Sequence, residues 1–212
     1  MTEREKLFDA ILNGDAKGAA IITNQLIEAG SAPMELVSDC MIPAMDEVGN
    51  RFECEEYFVP ELLLAGRAMK GALQIIRPLL AASGAQPVGR VVIGTVKGDL
   101  HDIGKNLVAS MLEGGGFEVH DLGADVAPEK FIEAIRTNNA NIVALSALLT
   151  VTMPAMRTVI DALRAAGIRD QVRVMVGGAP VTRQFADEIG ADGFSDSAAS
   201  AVALARSFAG NN

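Results

Sequence analysis

The residues best placed to do chemistry stand in one short run, Lys97-Gly98-Asp99-Leu100-His101-Asp102-Ile103-Gly104-Lys105-Asn106. This run offers an exposed imidazole, a carboxylate two residues upstream of it, and a glycine that permits close approach. It is not a phosphate loop, because it lacks the glycine spacing and the Gly-Lys-Ser/Thr ending. It suits a metal ligand with an outer-shell carboxylate: Asp99 would accept from one ring nitrogen of His101 while the other nitrogen binds metal. The whole chain holds only 2 His and 2 Cys, and zinc normally draws on three or four protein ligands. A metal already held in a macrocycle needs one axial ligand, so the loop favours a metal cofactor over a bare ion. On general grounds a lone loop histidine is more often structural, and Asp99 alone could equally be the phospho-acceptor of a receiver-type domain. Three further stretches bear on the choice. Ser146-Ala147-Leu148-Leu149-Thr150-Val151-Thr152 supplies small hydroxyl residues, Gly177-Gly178-Ala179-Pro180 leaves room for something bulky, and Gly190-Ala191-Asp192-Gly193-Phe194 leads to an Ala-rich segment.

These stretches must be brought to one edge of a scaffold, and the pattern beyond residue 86 supplies it. Short runs rich in β-branched residues at 91–96, 118–122, 142–145 and 172–176 alternate with helical segments near 104–114, 129–139, 153–166 and 181–189. A short fifth strand at 192–194 and a final helix complete the series. Continuous apolar strands alternating with helices imply a parallel sheet covered on both faces. In such a sheet ligands sit beyond the carboxyl ends of the strands, where the strand order reverses.

Before residue 84 the apolar positions recur at helical spacing. Thr2 and Glu5 have capping-box spacing and open a helix to about Leu12. Asp15 can cap a second helix ending at Gly30, Pro33 suits the first turn of a third, and Pro60 starts a fourth that runs to about Leu80. Pro43 and Pro78 are expected to kink or interrupt their helices. Four helices with short connections make a small bundle. The stretch from Ser83 to Gly89 reads as a linker, so the expected domains are 1–85, helical, and 86–212, α/β.

Composition narrows the function class. With 18 Lys+Arg against 27 Asp+Glu the net charge is −9, which argues against a nucleic-acid partner. The mean hydropathy of +0.27 is high, yet no stretch reaches the roughly 18 apolar residues that a spanning helix needs, and the N-terminus lacks a signal-peptide apolar region. The expectation is a cytoplasmic, soluble protein without a membrane partner. Other residues have plain readings. His120 sits in a strand pattern; Met34, Met41, Met45 and Met69 fill the bundle core; Cys40 and Cys54 are buried or half-buried thiols; and Glu53, Glu55 and Glu56 form a solvated rim. Asp102 and Asn106 suit a helix start.

Taken together, Asp99-x-His101-x-x-Gly104, Ser146-x-Leu148 and Gly177-Gly178 resemble the three signatures of the cobalamin-binding domain. That family includes methionine synthase, the B12 mutases and the corrinoid methyl-carrier proteins of the methanol, methylamine and aryl-ether methyltransferase systems. Val48-Gly49-Asn50-Arg51-Phe52-Glu53 and Tyr57-Phe58-Val59-Pro60-Glu61-Leu62 resemble the helical cap of the methyl-carrying members. The resemblance covers nearly the whole chain in the family's domain order. It implies a four-helix cap followed by a flavodoxin-like, doubly wound, five-stranded parallel sheet.

The resemblance also implies roles. His101 would be the lower axial ligand of cobalt in cobalamin or a related corrinoid, replacing the cofactor's own base. Asp99 would hydrogen-bond His101, and Thr152 would extend that relay. Co(I) releases the imidazole and methyl-Co(III) retains it, so protonation of the relay could couple to the oxidation state. The displaced nucleotide tail would lie along Gly104, Ser146, Leu148, Gly177 and Gly178, with Leu100, Asp102, Ile103, Thr150 and Phe194 completing the contacts. Phe52 and Val59, then Leu62 and Leu63, match cap positions over the methyl face. Two departures stand out: Glu55 where the cap usually has glycine, and Ser197 where an acid is common.

The implied function is a methyl carrier, inactive alone. One partner is a substrate:corrinoid methyltransferase, another a corrinoid:coenzyme M or corrinoid:tetrahydrofolate methyltransferase, and a reductive activase restores Co(I). The alternatives are the small subunit of an adenosylcobalamin mutase and a stand-alone cobalamin sensor.

Overall fold

Local helix-start chemistry operates where the sequence places it. In the computed structural model, which describes residues 2–83 and 86–210, helix α1 (Glu3–Leu12) begins with the reciprocal Thr2–Glu5 capping box. Helix α2 (Ala16–Glu28) begins at Asp15, whose carboxylate accepts the Gly18 amide. Pro33 occupies the first turn of α3 (Pro33–Leu36), which runs through one π-helical turn (Val37–Met41) into α4 (Ile42–Glu53). The third helix is therefore not interrupted at Pro43. The wide turn before it accommodates a residue that offers no amide and crowds the carbonyl four positions back. Helix α5 (Val59–Ser83) likewise continues past Pro78 and beyond the expected end near Leu80.

The chain forms two compact units, one comprising the residues up to Pro87 with Glu113–Gly116, the other Val88–Leu112 with the residues from Phe117 onward. The boundary expected at Ala85 lies outside the described residues. In the first unit α5 packs chiefly on α2, and Leu7, Ile11, Met41, Met45, Leu62, Met69 and Ile76 are fully buried. Two expectations need correction. Met34 is exposed, because it lies on the outer side of the short α3 rather than in the core. Cys54 is also exposed, because it follows the last turn of α4, while Cys40 is buried in the π turn.

The second unit is a five-stranded parallel sheet in the order β2-β1-β3-β4-β5. Its strands are β1 (Arg90–Thr95), β2 (Glu118–Asp121), β3 (Ile142–Ser146), β4 (Arg173–Gly177) and β5 (Gly193–Ser195). They are linked by α6 (Ile103–Gly114), α7 (Pro128–Asn138), α8 (Pro154–Ala165) and α9 (Arg183–Ile189), and α10 (Ala198–Ala209) follows. The order reverses between β1 and β3, which opens a crevice at their carboxyl ends. Beneath it lies a core of Val92, Phe131, Val143, Leu145, Met156, Ile160, Val174 and Val176. His120 stays within β2, half-buried beside Glu118, as a structural residue. Ser197 caps α10 by a reciprocal box with Ser200, so its hydroxyl does the work of the acid common there. Among the described residues no helix is long and apolar enough to cross a membrane.

Candidate functional site

At the end of β1 the chain turns sharply through Gly98, which has a φ of +86°, and places Asp99 at the switch point. Asp99 is fully buried, and both of its oxygens are taken. Oδ1 accepts the His101 amide at 3.0 Å and lies 2.8 Å from His101 Nδ1. Oδ2 accepts the Thr152 hydroxyl at 2.6 Å and the amides of Leu148 and Leu149 at 2.8 and 3.3 Å. Thr95, the last residue of β1, donates its hydroxyl to the His101 carbonyl at 3.0 Å and fixes the loop from below. The sequence-predicted triad of His101, Asp99 and Thr152 is thus brought together on loops after β1 and β3.

The electrostatics follow from this geometry. Burial pushes the Asp99 carboxyl up, but hydrogen bonds from Thr152, from the amides of His101 and Leu148 and from the His101 ring outweigh it. The carboxyl is held well below the usual carboxylate range. An ionised Asp99 accepts a hydrogen bond from Nδ1–H, which leaves Nε2 of the His101 imidazole as the nitrogen with a lone pair to offer. The His101 side chain is 50% exposed, and its Nε2 has no partner among the described residues. A carboxylate so enclosed cannot reach a phosphoryl donor, which removes the receiver reading of Asp99.

Around this imidazole the loops are apolar and open to solvent. Leu100, Ile103 and Val151 are 75%, 74% and 80% exposed, and Leu148 and Leu149 are also exposed. An apolar group of this size on a surface marks a binding site. Gly104 has open space where a side chain would be. Along the carboxyl edge, Thr95, Ser146, Gly177 and Ser195 form one row of strand-register partners. A Cβ on Gly177 would lie 3.0 Å from the Ser195 carbonyl oxygen, and one on Gly178, at a φ of +130°, would lie 1.9 Å from the Ala147 carbonyl oxygen. Gly178 is therefore required by the approach of the β3 and β4 loops themselves, whatever lies beyond them.

The remaining sequence-predicted residues divide. Thr150 is exposed and Ser146 half-buried on this edge. Phe194 is half-buried, with the Arg183 guanidinium over its ring at 5.9 Å. Asp102 serves mainly as the start of α6, where its carbonyl accepts the Asn106 amide. In the helical unit Phe52 is half-buried, and Val59 and Leu63 are exposed. Leu62 is the exception: it is wholly buried in the bundle core and offers no surface to a ligand. Phe58, 63% exposed, and Leu64, also exposed, present apolar surface that the sequence reading did not assign to the site.

Sequence reasoning also missed Lys105, whose buried ammonium is bonded to Asp121 and Asn106, and Asp125. Their common signal is the Asp121-x-x-x-Asp125 spacing just after β2. No cluster of three or more His, Cys, Asp or Glu able to hold a metal ion exists among the described residues. A cavity of about 450 Å³ lies at the opposite, amino-terminal edge of the sheet, and two of its arginines, Arg169 and Arg173, are already paired with Asp192. The donor set therefore fits a metal that brings its own macrocycle and takes one imidazole.

A family model described as B12 binding domain matches residues 89–203, and a second model of the same description matches residues 3–77. The chain is similar to trimethylamine corrinoid protein 1 of Methanosarcina acetivorans, with 43% identity over 203 residues that cover 95% of this chain and 94% of that protein. Among solved structures it resembles a cobalamin-binding protein from Desulfitobacterium hafniense, with 33% identity, a TM-score of 0.80 and coverage of 98% of this chain and 99% of that one. It also resembles the methanol:cobalamin methyltransferase complex MtaBC from Methanosarcina barkeri, with 28% identity, a TM-score of 0.88 and coverage of 99% of this chain and 80% of that one.

Proposed function

The chain belongs to the B12-binding domain family, and from that premise we propose that it carries a methyl group on a bound corrinoid between partner methyltransferases. The observation that carries the reading is the half-exposed His101, held through Nδ1 by a buried, ionised Asp99 within an open apolar surround. When bound, the corrinoid supplies a cobalt centre able to accept and release a methyl group. The protein's own part is to hold and orient it.

In this reading His101 Nε2 ligates cobalt, Asp99 keeps Nδ1 protonated, and Thr152 and the Leu148 and Leu149 amides keep Asp99 ionised. Gly104, Ser146, Leu148, Gly177 and Gly178 line the path of the nucleotide tail, flanked by Leu100, Asp102, Ile103, Thr150 and Phe194. Residues 86–212 form the corrinoid-binding domain. Residues 1–85 form the helical cap domain, whose Phe52, Phe58, Val59 and Leu63 are the apolar side chains that would be available to the cofactor.

The name of the trimethylamine corrinoid relative supports a methylated amine as donor, and the MtaBC neighbour supports a substrate:corrinoid methyltransferase as the first partner. The second partner is a corrinoid:coenzyme M or corrinoid:tetrahydrofolate methyltransferase, and a reductive activase recovers inactive protein. The test loads the protein with hydroxocobalamin, reduces it, and adds trimethylamine, dimethylamine or methanol with the matching methyltransferase. Methylated cobalamin is expected in an amine arm and only when the methyltransferase is present. Methylation in the methanol arm alone overturns the donor assignment, and methylation in no arm overturns the carrier reading.

A further inference from the structure

The loop that presents His101 is held from outside the relay, by the segment that follows β2. Asp125 meets all three residues before Leu100 at once. Its Oδ1 accepts the Gly98 amide at 2.8 Å, its Oδ2 accepts the Lys97 ammonium at 3.0 Å, and its own amide donates to the Asp99 carbonyl at 2.9 Å. Asp125 does this from a left-handed backbone, with a φ of +55°, a conformation that a non-glycine residue keeps only where its surroundings impose it. The Gly98 amide, and then Lys97, hold its carboxyl below the usual range, so it is an ionised acceptor. At the other end of the loop, Asp121 binds the buried Lys105 in the first turn of α6 and accepts the Gly123 amide at 2.8 Å. Two aspartates four residues apart thus fasten both ends of the run from Lys97 to Lys105.

Asp99 is consequently fixed twice. The relay fixes its side chain, and Asp125 fixes its main chain. A ligating imidazole must be held to within about half an ångström by supporting contacts of this kind, and the residue behind a ligand is worth roughly 10- to 100-fold in metal affinity. We propose that Asp125 is a positioning residue for His101, setting the seat of Asp99 and through it the reach of the imidazole towards cobalt. The inference rests on the corrinoid reading above. It adds a residue on a separate strand loop, whose hydrogen bonds go to Lys97, Gly98 and the Asp99 carbonyl rather than to the imidazole or Thr152.

The test compares wild type with Asp125→Ala, Asp125→Gly and Asp125→Asn, each loaded with hydroxocobalamin. Visible absorbance gives the ratio of His-on to His-off cofactor, and nitrogen hyperfine splitting in the Co(II) electron paramagnetic resonance spectrum reports the axial imidazole. Thermal unfolding without cobalamin reports folding separately. Asp125→Ala is expected to lower the His-on ratio by about tenfold, the size of the lost charge-assisted bond from the Gly98 amide, the exposed Lys97 pair adding little. Asp125→Gly should lose as much although it accepts the left-handed backbone freely, because the acceptor is gone. Asp125→Asn keeps an oxygen for the Gly98 amide and should recover most of the ratio. Folded Ala and Gly variants with the wild-type ratio and splitting overturn the proposal. If wild type itself shows no His-on signal, or if His101→Ala leaves the signal intact, the corrinoid reading has failed and this inference falls with it.

Discussion

Asp99 works because everything around it donates. A buried carboxylate is costly unless its lone pairs are filled, and here two side chains and three amides fill them. Its folded pKa lies below the unfolded value of about 3.9, so Asp99 contributes stability at neutral pH, and that contribution is lost as pH falls from about 4 towards the lower folded pKa. Thr152→Val removes the shortest of these bonds and leaves the rest. It is expected to cost about 1.5–3 kcal/mol in urea unfolding at pH 7, and the gap from wild type should close as the titration is repeated below about pH 4. A gap independent of pH would mean that Thr152 stabilises by packing alone. The Asp99–His101 pair was legible in the sequence because the two are two residues apart, whereas Thr152 entered the relay only through the resemblance to the cobalamin-binding domain. Asp125 and Lys105 were not legible, since their roles arise only when β2 lies beside β1 and its loop folds back over the turn.

Elements were legible where their signals are local. The Thr2–Glu5 box, the Asp15 cap and Pro33 each act within one turn, and each operates where the sequence places it. The continuity of α5 through Pro78 and of the third helix through its π turn was not legible, because tertiary packing outweighs the local cost of proline. Glu55 shows the converse. It stands where the cap usually has glycine and keeps the left-handed backbone such a turn requires, with a φ of +60°. The amides of Glu55, Glu56 and Tyr57 close on the carbonyls of Phe52 and Arg51, and Arg51 stacks over the Tyr57 ring at 5.2 Å. The turn is thus held in a conformation that costs an L-residue roughly 1–2 kcal/mol, of which the extra chain entropy of glycine returns about half. Glu55→Gly is therefore expected to stabilise the protein by about 0.5–1 kcal/mol in chemical denaturation, with cobalamin affinity unchanged. A destabilised variant would mean that the Glu55 side chain itself holds the turn.

At the scale of the molecule, the unusual hydropathy resolves into two cores and two exposed apolar faces. One face is the Leu100, Ile103, Leu148, Leu149 and Val151 surround of His101, and the other lies at the start of α5 with Phe58, Val59, Leu63 and Leu64. Neither belongs on a chain that works without a large partner or ligand, and a net charge of −9 opposes non-specific association through such faces. The half-exposed imidazole of His101, whose Nε2 has no partner among the described residues, then decides which ligand. The most direct measurement is to titrate purified wild type and His101→Ala with hydroxocobalamin, then reduce each to Co(II) and record its electron paramagnetic resonance spectrum. The account predicts a base-off, His-on spectrum with one protein nitrogen coupled to cobalt in wild type, and loss of that coupling in His101→Ala. An unchanged free-cobalamin spectrum in wild type, or nitrogen coupling that survives in His101→Ala, would contradict it.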